Sequence, residues 1–201
     1  MKRFIAIASY LFHPLLMPLV GILLYFWLTK RFYPMPVIKA KILAVVIFTL
    51  IIPLIFSFIL RNSKLISNFS LSKVKERKIP LLFYATITLT IINFIFPKYQ
   101  FNIPYLFFSG ILYATLLVLL GTYLKQKISL HMVGIAGLCT FIIGVCIYFG
   151  LPLYGLIAFF IFATGWTASA RLQAKAHNHK ELILGIIAGG GTQLGLFLLY
   201  L

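Results

Sequence analysis

The run Ile103-Pro104-Tyr105-Leu106-Phe107-Phe108-Ser109-Gly110-Ile111-Leu112-Tyr113-Ala114-Thr115-Leu116-Leu117-Val118-Leu119-Leu120-Gly121-Thr122-Tyr123 contains no charged residue, and Lys125 and Lys127 follow it. An apolar run of about 20 residues is the length a helix needs to cross a bilayer core. It is too long for the alternating strands of a membrane barrel. Working outward, six further segments share this character: roughly 4–28, 38–60, 80–97, 131–149, 151–170 and 181–201. The sequence therefore predicts an all-α, polytopic transmembrane helix bundle of about seven spans, forming a single domain over residues 1–201. Fusing the segments on either side of Gly150-Leu151-Pro152 would reduce the count to six. The expected setting is a bilayer, with the bacterial inner membrane as the expected location.

Composition agrees. Hydrophobic residues make up 62% of the 201 residues and charged residues only 10%, with a mean hydropathy of +1.07. A soluble domain carries about a quarter charged residues, so a water-soluble globule is excluded. Eighteen Lys and Arg face two carboxylates, Glu76 and Glu181, for a net charge of +16. A nucleic-acid binder places such a surplus on a soluble body, so no nucleic-acid partner is expected here. Two carboxylates are too few for a magnesium cluster, and no cofactor or metal is expected. Cys139 and Cys146 lie in one apolar run and read as small buried residues without a zinc spacing. Met1-Lys2-Arg3 imitates a signal peptide, but the apolar run continues to Leu28 and favours a retained first span.

With seven spans, thirteen Lys and Arg fall on one membrane face and five on the other, the second group being Lys30, Arg31, Lys39, Lys41 and Lys98. Glu76, Glu181, His131, His177 and His179 share the cation-rich face, and a six-span count would break this convergence. The positive-inside rule assigns that face to the cytoplasm. Toward the chain's end, Gly185, Gly189, Gly190, Gly191 and Gly195 provide Gly-x-x-x-Gly spacings, expected to serve close packing within the chain rather than dimerisation.

Three polar elements meet on the cation-rich face, in loops near 61–80, 124–131 and 170–181. In Ala170-Arg171-Leu172-Gln173-Ala174-Lys175-Ala176-His177-Asn178-His179-Lys180-Glu181, His177 and Glu181 are four apart and share a face if a helix starts there. A carboxylate beside an imidazole holds one ring nitrogen protonated and leaves the other as nucleophile or base. Arg171 brings a planar fork of donors, and a helix amino terminus favours an anion. The second element, Lys127-Ile128-Ser129-Leu130-His131-Met132, offers Ser129 as an N-cap with His131 in the first turn. The third, Lys73-Val74-Lys75-Glu76-Arg77-Lys78-Ile79-Pro80, places four cations ahead of a helix-starting proline. Read singly, these are a solvated connector, a surface histidine and a basic run that marks the cytoplasmic side or binds lipid heads.

Taken together, their order and common face resemble the type 2 phosphatidic acid phosphatase superfamily of integral-membrane lipid phosphatases. Its signature is Lys-x6-Arg-Pro, Pro-Ser-Gly-His and Ser-Arg-x5-His-x3-Asp. Arg171, His177 and Glu181 keep the third spacing, with Glu for Asp and Ala170 in the Ser slot. Ser129 and His131 keep half of the second; Lys73, Arg77 and Pro80 are a displaced form of the first. The resemblance implies metal-independent phosphoryl transfer from a membrane lipid phosphate. His177 would be the nucleophile, Glu181 its orienting carboxylate and His131 the proton donor. Arg171, Ser129, Arg77 and Lys73 or Lys75 would hold the phosphate. It also implies an outward-facing site, against the charge bias.

Other readings compete with this one. A decayed relative would bind or carry an anionic lipid without turnover. His131, His177, His179 and Glu181 would alternatively ligate zinc or iron. His13, roughly 14 Å into the first span and flanked by Pro14 and Pro18, reads as a hydrogen-bonded bundle residue with no identifiable partner.

Overall fold

The computed structural model describes residues 2–29 and 33–200, with side chains from residue 5 onward in the first helix. Lys30 and Arg31, and the side chains of Lys2 and Arg3, lie outside the described residues. The chain folds into α1 (Lys2–Leu11) and α2 (Met17–Leu28), followed by α3 (Met35–Asn62), α4 (Val74–Ile95), α5 (Asn102–Tyr123), α6 (Leu130–Tyr148), α7 (Tyr154–Gln173) and α8 (His179–Tyr200). There is no strand among the described residues. Helices α3 to α8 are the six long and apolar enough to cross a membrane. The protein is an integral membrane helix bundle.

The predicted first span is where the structure differs most. It is broken at Phe12–Leu16, because Pro14 has no N–H to donate and disfavours helical backbone at His13 before it. The helix ends on Phe12 N–H to Ala8 O, 2.9 Å, and the chain turns through Leu16 N–H to His13 O, 2.8 Å. Pro18 then sits in the first turn of α2, where a missing N–H costs nothing. The fourth helix also departs from expectation, starting at Val74 with a 3-10 turn through Arg77, ahead of Pro80. Arg77 is thus part of a helix. The segments around Gly150 stay separate. Gly150 adopts a left-handed φ of 61°, and Leu151 N–H reaches back to Cys146 O at 2.8 Å, which closes α6.

Helix α6 is the hub, packing against α2, α5, α7 and α8, while α1 lies on α7. In lipid, helix association rests on van der Waals fit rather than release of water, so close approach matters. Phe107 of α5 stacks on Phe141 of α6 at 4.1 Å. The Gly-x-x-x-Gly pair of α8 lies against α6. A Cβ at Gly185 would stand 2.7 Å from Met132 Cβ and 2.8 Å from Ser129 O, and one at Gly189 would overlap the Val133 carbonyl. These two glycines serve packing within the chain, as their spacing suggests. Gly195 has nothing within 4 Å.

Because the atom met at Gly189 is backbone, it cannot swing aside. Gly189→Ala should cost about 1–3 kcal/mol, read as a lower melting temperature in detergent, while Gly195→Ala should leave melting unchanged or slightly raised. Equal melting for the two variants would contradict this packing.

Candidate active site

Three loops and the broken first helix converge at one end of the bundle. Arg77 donates from Nη1 to Ile128 O at 2.6 Å and from Nε to Leu71 O at 2.8 Å. Lys127 Nζ donates to Ala176 O at 2.8 Å, and Ser129 N–H donates to Glu181 O at 3.1 Å. These bonds tie the three sequence elements to one another, so their convergence does not depend on how many spans precede α3.

At the start of α8, Asn178 is the N-cap, its Oδ1 accepting the Glu181 N–H at 2.9 Å. His177 therefore precedes the helix instead of sharing a helical face with Glu181, as the spacing alone suggested. The pair still forms: His177 Nδ1 donates to Glu181 Oε2 at 2.6 Å. The His177 side chain is only 5% exposed and that of Glu181 17%. With Nδ1 committed to the carboxylate, Nε2 carries the lone pair, and among the described residues it has no partner. Burial pushes the His177 imidazole down to about 4, against the upward pull of Glu181 and with Lys127 and Arg77 adding to the fall.

His177 lines a cavity of about 720 Å³ together with Arg77, His131 and Arg171. Arg77 is 3% exposed. Arg171 Nη1 donates to the Ser9 hydroxyl at 3.5 Å, and its Nε is buried with no acceptor among the described residues. His131 donates from Nε2 to Ser9 O at 3.1 Å, since a carbonyl can only accept. The cavity continues downward between Leu81, Phe83, Phe107, Ala114 and Leu138. Its lining on α5 runs from Val118 to Phe107, roughly 16 Å at helical rise.

Other expected residues lie elsewhere. Ser129 takes the N-cap position of α6, yet its hydroxyl makes no cap bond; it is buried and partnerless among the described residues and is not in the cavity wall. Lys73 is exposed and paired with Glu76 at 3.3 Å. Lys75 is also exposed and outside the cavity. His179 is exposed on the first turn of α8, and among the described residues no three His, Cys, Asp or Glu side chains are gathered for a metal. Sequence reasoning set His13 aside as a bundle residue and did not single out Ser9, and both line the cavity. His13 lines the same cavity, its ring centroid 5.4 Å from that of His131. The signal was present in His13-Pro14, an ionisable residue at a helix break inside an apolar run.

Set against known proteins, the chain matches no family model, no curated protein and no solved structure.

The pH response of His177 follows from its burial. In protein with 15N-labelled histidine, the ring should titrate near pH 4, below the ordinary 6.5. The unfolded chain then takes up a proton that the folded site refuses, so this group makes stability fall as pH drops from 6.5 toward 4. Glu181→Gln removes the attraction that favours the protonated ring and should lower the midpoint further. A midpoint at or above 6.5 would overturn the account.

Proposed function

We propose that the protein is a metal-independent membrane lipid-phosphate phosphatase acting through a phosphohistidine on a phosphate or diphosphate monoester. The observation that carries this reading is the shared cavity: Arg77, His131, Arg171 and His177 line one chamber, with the His177–Glu181 pair at its edge. The motif order adds the resemblance to type 2 phosphatidic acid phosphatases.

Phosphoryl transfer asks for in-line positioning and stabilisation of spread negative charge more than for covalent machinery. In the first half, His177 Nε2 attacks phosphorus while Nδ1–H stays on Glu181. The bond from phosphorus to the lipid oxygen breaks, and that oxygen takes a proton from His131. In the second half His131 accepts a proton from water as the water attacks phosphorus. The phosphorus–nitrogen bond breaks, its electron pair returns to His177, and inorganic phosphate leaves. Arg77 and Arg171 hold the phosphoryl oxygens throughout. Neither half needs a metal.

Support for a lipid substrate comes from the two-part lining. A polar end holds the ionic groups, and an apolar extension bounded by Phe83, Phe107, Ala114 and Leu138 suits a hydrocarbon tail. Tyr10 and Phe69, exposed by 78% and 52%, belong to the same lining and give it an open apolar outer edge. A second reading draws on Lys73, Lys75 and Ser129, whose side chains are outside the cavity: a protein that binds an anionic lipid without turning it over.

Phosphate release from phosphatidate, lysophosphatidate and polyprenyl diphosphate in detergent distinguishes these. The hydrolase should be indifferent to chelator, blocked by orthovanadate and slowed by roughly 1,000-fold or more in His177→Ala. Loss of activity with chelator, or retention in His177→Ala, would sink the mechanism, and lipid binding without turnover would favour the second reading. Ala114→Phe, which narrows the apolar extension, should raise KM for a long-chain lipid phosphate while sparing a short-chain soluble monoester. Equal effects on both would remove the tail from the cavity.

A further inference from the structure

The last turn of α1 and the break after it reach into the cavity by three separate contacts. Ser9 accepts His131 Nε2–H on its carbonyl at 3.1 Å and Arg171 Nη1–H on its hydroxyl at 3.5 Å. His13 then packs edge-to-face on His131, with centroids 5.4 Å apart and planes at 85°. All four residues line the same chamber. A straight helix through Leu11–Met17 would present neither the kink nor a free turn beside His131. Were His13 only a packing residue, a phenyl ring would fill the place without the cost of an imidazole inside an apolar segment.

The hydrogen bonding of His13 specifies what it offers. Its Nδ1 accepts the Leu15 N–H at 3.4 Å, at the point where Pro14 interrupts the helix. A ring nitrogen that accepts carries no proton, so the imidazole is neutral and its one N–H is on Nε2. Among the described residues that donor has no acceptor. Arg171 Nε, which is buried, is a second donor with none. Facing His13 are His131 from α6 and Arg171 from α7; Arg171 has no acceptor to offer, and the two imidazoles meet as a ring contact without a hydrogen bond between them. Donors without acceptors around one chamber are the complement of an oxyanion.

We propose that Ser9 and His13 form a fourth element of the phosphate site, absent from the three-motif pattern. His13 donates Nε2–H to a phosphoryl oxygen, beside Arg77 and Arg171, and Ser9 is a positioning residue for His131 and Arg171. A neutral donor adds a hydrogen bond to the anion without adding another repelling charge next to Arg171. The proposal rests on the phosphate-site reading above, but it concerns anion binding and not turnover.

The test is orthovanadate affinity, measured by calorimetry on the full-length protein in detergent at neutral pH, with melting curves for each variant. His13→Phe keeps the aromatic packing and loses the donor; it should weaken vanadate binding roughly 10- to 100-fold, as expected for a hydrogen bond to a charged group. His13→Gln, whose amide still donates, should stay within about 3-fold of the wild type. Unchanged vanadate affinity in His13→Phe would overturn the proposal. If His13→Phe does not fold, 15N-labelled histidine in the wild-type protein decides instead. Vanadate should shift the His13 Nε2 resonance, and no shift would overturn the proposal. Vanadate binding without phosphate release from any lipid would defeat the hydrolase reading and leave this one standing. A wild-type protein that binds no vanadate would defeat both.

Discussion

Everything at the polar end depends on how closely α8 lies against α6. Two glycines one helical turn apart, Gly185 and Gly189, let the backbones approach until a Cβ on either would strike Ser129, Met132 or Val133. That approach brings Glu181 O onto the Ser129 N–H at 3.1 Å. It thereby sets the first turn of α8, with its capped Asn178 and the His177–Glu181 pair, beside the first turn of α6, which carries His131. In a lipid-solvated bundle water release does not hold helices together, so this close fit and the hydrogen bonds from Arg77 and Lys127 are what gather these groups. The polar cluster at this position is a by-product of small-residue packing a turn or two below it.

The charge arrangement has a common physical logic. Cations inside a protein ordinarily need carboxylates, because a buried unpaired charge is expensive. This chain has only Glu76 and Glu181, and Glu76 is used at the surface by Ser67 and Lys73. The buried Arg77 is therefore held by neutral carbonyls, Leu71 O and Ile128 O, and the half-buried Lys127 by Ala176 O. Carbonyls orient a guanidinium without cancelling its charge. Arg77 consequently reaches the cavity held in place by carbonyls, Arg171 reaches it with a single contact to the Ser9 hydroxyl, and the lone nearby carboxylate is spent on His177. A scaffold short of acid leaves its inward-facing cations less neutralised than one with abundant ion pairs, so the composition that reads as mere membrane bias also shapes the electrostatics of the cavity.

Much of this was legible in the residues, and the failures have local causes. Hydropathy located the helices because desolvating about 20 consecutive residues leaves few alternatives to a span. It missed the division of the first segment because apolar averages are blind to a single Pro14, whose effect is on the backbone. It placed the start of α4 at Pro80, whereas the 3-10 turn Val74–Arg77 begins the helix among charged residues that hydropathy counts as loop. The His177–Glu181 spacing pointed to the right partners for an imperfect reason. Four residues join them in a helix, and they also join them across an N-cap, where Asn178 rather than helical periodicity fixes the geometry. Ser129 sits at the expected N-cap, but its hydroxyl makes no cap bond and has no partner among the described residues, because backbone position does not fix a rotamer.

The convergence of polar loops survives the loss of an intact first span, and the reason is parity within the remaining bundle. Six consecutive long helices, α3 to α8, return the chain to the same end after α3, after α5 and after α7. The connections 63–73, 124–129 and 174–178 are these returns, and the bonds from Arg77, Lys127 and Ser129 join them. Only fusing two of the later helices would have separated them, and Gly150 in its left-handed turn keeps α6 and α7 distinct. The first segment is then free of the duty of crossing as one straight rod. It can break where Pro14 demands and fold Ser9 and His13 against His131 and Arg171. An added span would have supplied a topological count; the broken helix supplies side chains to the site.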